Sequence, residues 1–236
     1  PSRRWKVNVV LSAEASQAAL KYLEDFGVQV HLNKRVKSYD GYTVTLNTGE
    51  TLITRTLIWA AGVAGAPVEG LPPECLRKGG RYAVDQFNRV KDHPNIFAIG
   101  DIAAMESAEY PEGHPMVAQP ALQQGRLLAR NLERVLSGQA PEPFRYDDKG
   151  ALATIGRNHA VADIRLAGKD VRTQGFFAWL IWTFVHLMSL ISFRNRLLVF
   201  MSWTWSYITF DKGRRYIIGR TREPVPVEAT TEKAIV

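Results

Sequence analysis

Apolar and polar positions change rhythm several times along the chain, and each change marks an element. Residues 6–11 alternate like a short strand. Ser12 is placed to cap a helix in which Ala15, Ala19, Leu23 and Phe26 recur at helical spacing, and Gly27 ends it. Residues 28–32 resume as a strand, so the opening reads as a βαβ unit. Short strands follow near 35–39, 42–46 and 51–53, with Asp40-Gly41 and Asn47-Thr48-Gly49 as their turns. Residues 56–62 are apolar and end in glycine, the pattern of a strand buried in a parallel sheet.

Residues 63–93 are rich in Gly and Pro and read as a crossing between domains, with a strand near 81–84. Residues 95–103 predict a second buried strand, ending in Gly100-Asp101. A Pro/Gly/Glu loop over 108–115 leads into a helix from about 117 to 136. Leu122, Leu128, Leu132, Val135 and Leu136 form its apolar face, and Gly138 stops it. Strands return at 153–156 and 160–166. The composition then shifts: 18 residues over 176–193 carry no formal charge, and 197–210 adds 14 more.

With 236 residues, 46% hydrophobic and 22% charged, the chain can fill one large domain or two small ones, and disorder over most of its length is excluded. The net charge of +7 points to an anionic partner. Its basic residues cluster beside the late apolar segments, with Arg194 and Arg196 between them and Lys212, Arg214 and Arg215 after them. They do not form an aromatic-interleaved face, so nucleic acid is not expected. Cys75 is the sole cysteine, which excludes an internal disulfide or a two-cysteine redox centre and makes Cys75 a bystander. Pro1-Ser2-Arg3-Arg4 has no signal-peptide core, and the chain reads as opening in the middle of a domain.

The Gly-Asp ending is the most informative short motif. Open α/β sheets bind ligands at the carboxyl ends of their strands, where Asp101 could accept hydrogen bonds from ligand hydroxyls; an Asp helix cap reads equally well. The helix that follows presents free N–H groups and partial positive charge at its start, with Pro120 tolerated in the first turn. Gln119 and Gln123, spaced i, i+4, share one helix face: they are either neutral donors in a cleft or two surface glutamines.

His159 and His186 lack companions at metal-ligand spacing, so no metal site is expected. Residues 176–210 carry Thr183, His186, Ser189 and Ser192 as a polar stripe. Tryptophans at 179, 182, 203 and 205 resemble an interfacial belt. The reading preferred is a pair of helices lying on or dipping into one leaflet of a lipid bilayer; a spanning hairpin and a buried hairpin are the alternatives.

Trp59-Ala60-Ala61-Gly62, then Asn95-Ile96-Phe97-Ala98-Ile99-Gly100-Asp101, then Ala118-Gln119-Pro120-Ala121-Leu122-Gln123-Gln124-Gly125 resemble successive signatures of type II NADH dehydrogenases. Those are single-chain flavoproteins that pass electrons from NADH through FAD to a membrane quinone. The resemblance runs over nearly the whole chain. It implies an α/β fold, part of a two-dinucleotide-binding-domain (FAD/NAD(P)-binding) flavoprotein with a C-terminal membrane-associated helical segment. It divides the chain at 1–66 (end of the NADH domain), 67–150 (end of the FAD domain) and 151–236 (strands plus membrane helices). Gly100 and Asp101 would lie at the FAD ribityl chain, and Ala118 and Gln119 at the pyrimidine end of the flavin. Gln119 and Gln123 would line the quinone site, and Ala61 and Gly62 the nicotinamide path. The expected partners are a membrane quinone and the bilayer surface at the cytoplasmic face of a bacterial inner membrane, with a homodimer left open.

The family has two G-x-G-x-x-G phosphate loops, and the chain contains none, so it is expected to be the C-terminal half of such an enzyme. A sulfide:quinone oxidoreductase shares the fold but needs paired cysteines. A soluble disulfide reductase would end in a dimerisation domain instead of a tryptophan-rich segment. A non-catalytic membrane-associated module is the alternative from another class.

Overall fold

The computed structural model describes residues 11–166 and 168–210. The expected strand over 6–11, save Leu11, and the cations Lys212, Arg214 and Arg215 lie outside them. Two compact units divide at Thr183 and Phe184.

Helix α1 (Ala13–Asp25) begins where expected, with the Ser12 hydroxyl accepting from the Ala15 N–H at 3.2 Å. Ser12 is itself held by Asp163: its N–H donates to Oδ2 at 2.5 Å and its hydroxyl to Oδ1 at 3.0 Å. Strands β1 (Val36–Tyr39), β2 (Thr43–Leu46) and β3 (Thr51–Ile53) form an antiparallel meander. Residues 28–32 and 56–62 do not form strands, and Val28, Leu32, Ile58 and Trp59 are exposed. An apolar run becomes a strand only beside an edge to pair with, and no described segment offers one here.

The second sheet contains β4 (Leu76–Arg77), β5 (Arg81–Val84), β6 (Arg89–Val90) and β7 (His93–Phe97) in antiparallel order, with β8 (Ala103–Met105) parallel to β5. Cys75, Tyr82, Val90, Ala98 and Ala103 form its core. The single buried strand expected over 95–103 is therefore two elements. Strand β7 stops at Phe97, Ile96 and Ile99 are exposed, and a 3-10 turn over Gly100–Ile102 redirects the chain. Gly100 makes that turn at φ +69°, a conformation glycine adopts at little cost.

Helix α2 (Ala118–Leu136) matches its predicted span, but its faces are exchanged. Pro120, Gln124, Leu127 and Asn131 are buried, whereas Leu122, Leu132, Val135 and Leu136 face outward and Leu128 is half-buried. The third sheet is the meander β9 (Gly150–Gly156), β10 (His159–Leu166) and β11 (Lys169–Gln174). Strand β11, too charged to read as a strand, pairs along six positions of β10. Helix α1 lies on this sheet, with the rings of Tyr22 and Phe26 against His159.

Helix α3 (Phe176–Ser189) starts in the first unit, where Ala178 is buried with Ala160 and Ala162. Helix α4 (Phe193–Thr209) belongs to the second unit and buries none of its residues. Among the described residues no helix is long and apolar enough to cross a membrane.

Candidate flavin and quinone site

The Gly100–Ile102 turn packs on the first turns of α2. A Cβ on Gly100 would stand 3.0 Å from the Cβ of Ala121, so the backbone approaches the helix as closely as glycine allows. The Gly100 N–H donates to Oε1 of Gln124 at 2.6 Å. Asp101 follows, exposed; it is not the cap of the turn, because Ile99 takes that position. Val117 caps α2 without a side-chain acceptor, and the first turn holds no acidic residue. The N–H groups of Ala118 and Gln119 are therefore left to water or a ligand at the positive end of the helix.

Residues 142–150 return along α2 as a strap. Asn131 grips Glu142 twice: Nδ2 donates to its carbonyl and Oδ1 accepts from its N–H, each at 2.8 Å. Leu127 packs on Phe144 and Met105. Gln123 pairs with Asp147, donating at 2.9 Å and accepting at 3.0 Å. Gln119 donates to the Gly150 carbonyl at 2.8 Å and accepts from the Lys149 N–H at 3.1 Å. Positions 119, 123, 127 and 131 follow one another by four, a single ridge of the helix. The two predicted glutamines are thus neither free donors in an open cleft nor idle surface residues: the strap holds both carboxamides in fixed orientation.

Beneath the turn, Arg81 is 7% exposed and donates to the carbonyls of Ala103 at 2.5 Å, His114 at 2.8 Å and Glu112 at 3.1 Å. Burial holds its pKa below the usual arginine value, while the charge of Asp101 opposes that shift. His114, 6% exposed, sits among Tyr110, Phe144 and Tyr146, with ring centroids 4.6, 5.3 and 5.3 Å away. Burial first, and then Arg81, push its pKa down, against the charge of Glu109. Burial, reinforced by Asp148, raises the Tyr146 hydroxyl above the ordinary tyrosine value.

The structure brings Gly100, Asp101, Ala118 and Gln119 to the start of α2, with Gln123 one turn on. Ala61 and Gly62 are exposed, with open space where a Gly62 Cβ would stand. A few residues later, a Cβ on Gly65 would strike the Gly80 carbonyl and the Ile102 side chain. Gln124, Arg81 and His114 carried no role in the sequence reading. A glutamine spaced i, i+3, i+7 with Leu127 and Asn131 was the available signal for Gln124. Among the described residues no cluster could hold a metal ion.

The pyridine nucleotide-disulphide oxidoreductase family matches residues 3–125, just over half of the chain, and the NDH2 C-terminal domain matches residues 149–220. The chain belongs to that family, on its type II NADH dehydrogenase branch. It is 33% identical over 215 residues to the type II NADH:quinone oxidoreductase Ndh of Mycobacterium tuberculosis, covering 86% of this chain and 44% of that protein. A Staphylococcus aureus type II NADH:quinone oxidoreductase is 34% identical over 176 residues, covering 70% of this chain and 42% of the relative. The chain thus spans under half the length of these relatives. The NDH2 structure from Plasmodium falciparum in complex with NADH superposes with a TM-score of 0.70 at 19% identity, over 83% of this chain and 55% of that one. A sulfide:quinone oxidoreductase from Aquifex aeolicus superposes with a TM-score of 0.53 at 14% identity, a likeness of fold alone. The mixed helix-and-sheet architecture of the chain is similar to that of the FAD/NAD-binding flavoproteins.

The donor set fits part of a flavin dinucleotide. An exposed carboxylate suits hydroxyl donors, and an uncapped helix start suits a carbonyl that gains negative charge.

Proposed function

We propose that the whole protein is an FAD-dependent NADH:quinone oxidoreductase that does not pump protons. FAD, when bound, accepts hydride from NADH and returns electrons to quinone, so the protein's task is position and electrostatics. Asp101 accepts hydrogen bonds from the ribityl hydroxyls, beside Gly100. Ala118 and Gln119 turn their N–H groups toward the pyrimidine end of the ring, where the α2 dipole favours negative charge. Each glutamine Nε2 carries two hydrogens, and the strap uses one. The second hydrogens of Gln119 and Gln123 then face a quinone carbonyl without burying a charge. Ala61 and Gly62 line the nicotinamide path. Residues 1–66, 67–150 and 151–236 then belong to the NADH domain, the FAD domain and the membrane-facing part.

The observation that carries this reading is the Gly-Asp turn seated on the uncapped start of α2. Helix α4, with many exposed apolar side chains and no buried residue, supports peripheral attachment to a lipid bilayer; the membrane in this reading is a bacterial inner membrane, at its cytoplasmic face. The test is anaerobic titration of the full-length flavoprotein with NADH and then with a soluble quinone. The flavin absorbance should bleach and return, and Asp101→Ala should release the flavin. Membrane binding with no flavin in the full-length protein would instead mark a non-catalytic membrane-associated module.

A further inference from the structure

The turn that carries Asp101 has two neighbours on α2, three residues apart. Ala121 lies against Gly100 on one side. On the other, Gln124 offers Oε1 to the Gly100 N–H at 2.6 Å. Gln124 is 1% exposed, among the largest fully buried side chains in the molecule. Burying a carboxamide is costly unless its atoms are matched, so this placement needs a reason beyond filling space. The turn supplies one. Without a Cβ, glycine adopts φ of either sign at similar cost, so Gly100 at φ +69° does not fix its own conformation, and the Ile99–Gly100 peptide sets the direction in which the next residue leaves. Gly125, beside Gln124, completes the seat: its Cβ would stand 3.6 Å from the Ile99 side chain.

We infer that Gln124 is a positioning residue for flavin binding, locking the Gly100 peptide so that the Asp101 carboxylate is presented in a fixed relation to the free N–H groups of Ala118 and Gln119. Acceptor and donors then share one rigid frame, helix α2. This rests on the reading that Asp101 binds the flavin, and the test separates the two. Gln124→Met keeps the volume and removes the acceptor; Gln124→Glu keeps an acceptor oxygen in the same place.

In the full-length protein, FAD affinity is read by quenching of flavin fluorescence, alongside KM for NADH. Gln124→Met is expected to weaken FAD binding about five- to tenfold, the range of one lost hydrogen bond. KM for NADH should stay unchanged, and Gln124→Glu should restore FAD affinity to within about twofold. Wild-type affinity in a folded Gln124→Met variant overturns the proposal. So does a Glu variant as impaired as the Met variant. If Asp101→Ala keeps its flavin, the underlying reading falls and takes the proposal with it. If Asp101→Ala loses flavin while Gln124→Met does not, only the positioning role falls. A measurement on the wild-type chain covers the case in which Gln124→Met does not fold. The Gly100 amide should exchange slowly with deuterium, and exchange as fast as that of exposed Gly62 overturns the proposal.

Discussion

The carboxamide of Gln123 closes on a single residue of the strap, donating to the Asp147 carbonyl at 2.9 Å and accepting from the Asp147 N–H at 3.0 Å. A leucine of similar size cannot replace either bond. Gln123→Leu is therefore expected to lower stability by about 1–2 kcal/mol, two partly exposed hydrogen bonds. In the full-length protein it should slow quinone reduction while leaving flavin reduction by NADH unchanged, as read by stopped-flow absorbance. Equal turnover with quinone in both proteins would remove Gln123 from the quinone site.

Asn131 holds the far end of the strap with the same two-bond geometry, but it is 4% exposed. Asn131→Leu leaves the Glu142 N–H and carbonyl without partners, which should cost about 2–3 kcal/mol in thermal or urea unfolding. Limited proteolysis should then cut within 140–150 before it cuts elsewhere. Unchanged protection would mean that the Leu127–Phe144 packing and the Gln119 and Gln123 bonds hold the strap without Asn131.

Much of this arrangement was legible in the residues, for local reasons. Ser12 and Gly27 bracket α1, the Asp40-Gly41 and Asn47–Gly49 turns set the first meander, and Gly138 ends α2, because caps and turns are decided by near neighbours. The partner of a strand is not local. Residues 56–62 have every property of a buried strand except an edge to join. The buried face of α2 differs from the expected one for a related reason: the Gly100 turn and the strap both present bare peptide groups that carboxamides satisfy, so Gln124 is buried against the turn and Asn131 against the strap, while Leu122 and Leu136 are exposed. Gln119 and Gln123 were legible as a pair, but what they grip was not, since the strap is a long-range contact.

His114 gives the molecule a defined response to acid. Its folded pKa lies below the ordinary value because burial and Arg81 both disfavour the cation; the charge of Glu109 opposes them, and Tyr110 and Tyr146 face the ring uncharged. The unfolded chain takes up a proton near pH ~6.5 that the folded chain refuses. Stability should be full above that pH, fall as pH drops through it, and level off once folded His114 is protonated. His114→Phe keeps the aromatic box and should flatten the slope in urea midpoints measured across that range. The same slope in the variant would assign the acid response to another group.

Leu198, Met201, Trp205 and Ile208 share one face of α4, and each is more than half exposed, from 56% to 68%. Such a stripe has no aqueous advantage, since each side chain would gain about 1.5–3 kcal/mol by leaving water. Arg194, exposed in the first turn, would meet anionic headgroups. The purified chain should therefore sediment with vesicles containing phosphatidylglycerol. Trp205→Ser combined with Ile208→Ser should reduce the bound fraction by more than about tenfold, because two apolar side chains no longer enter the leaflet. Arg194→Glu should weaken binding at low salt and have little effect at high salt, where screening already removes the charge contribution. Vesicle binding unaffected by the double serine variant would move the attachment off this face.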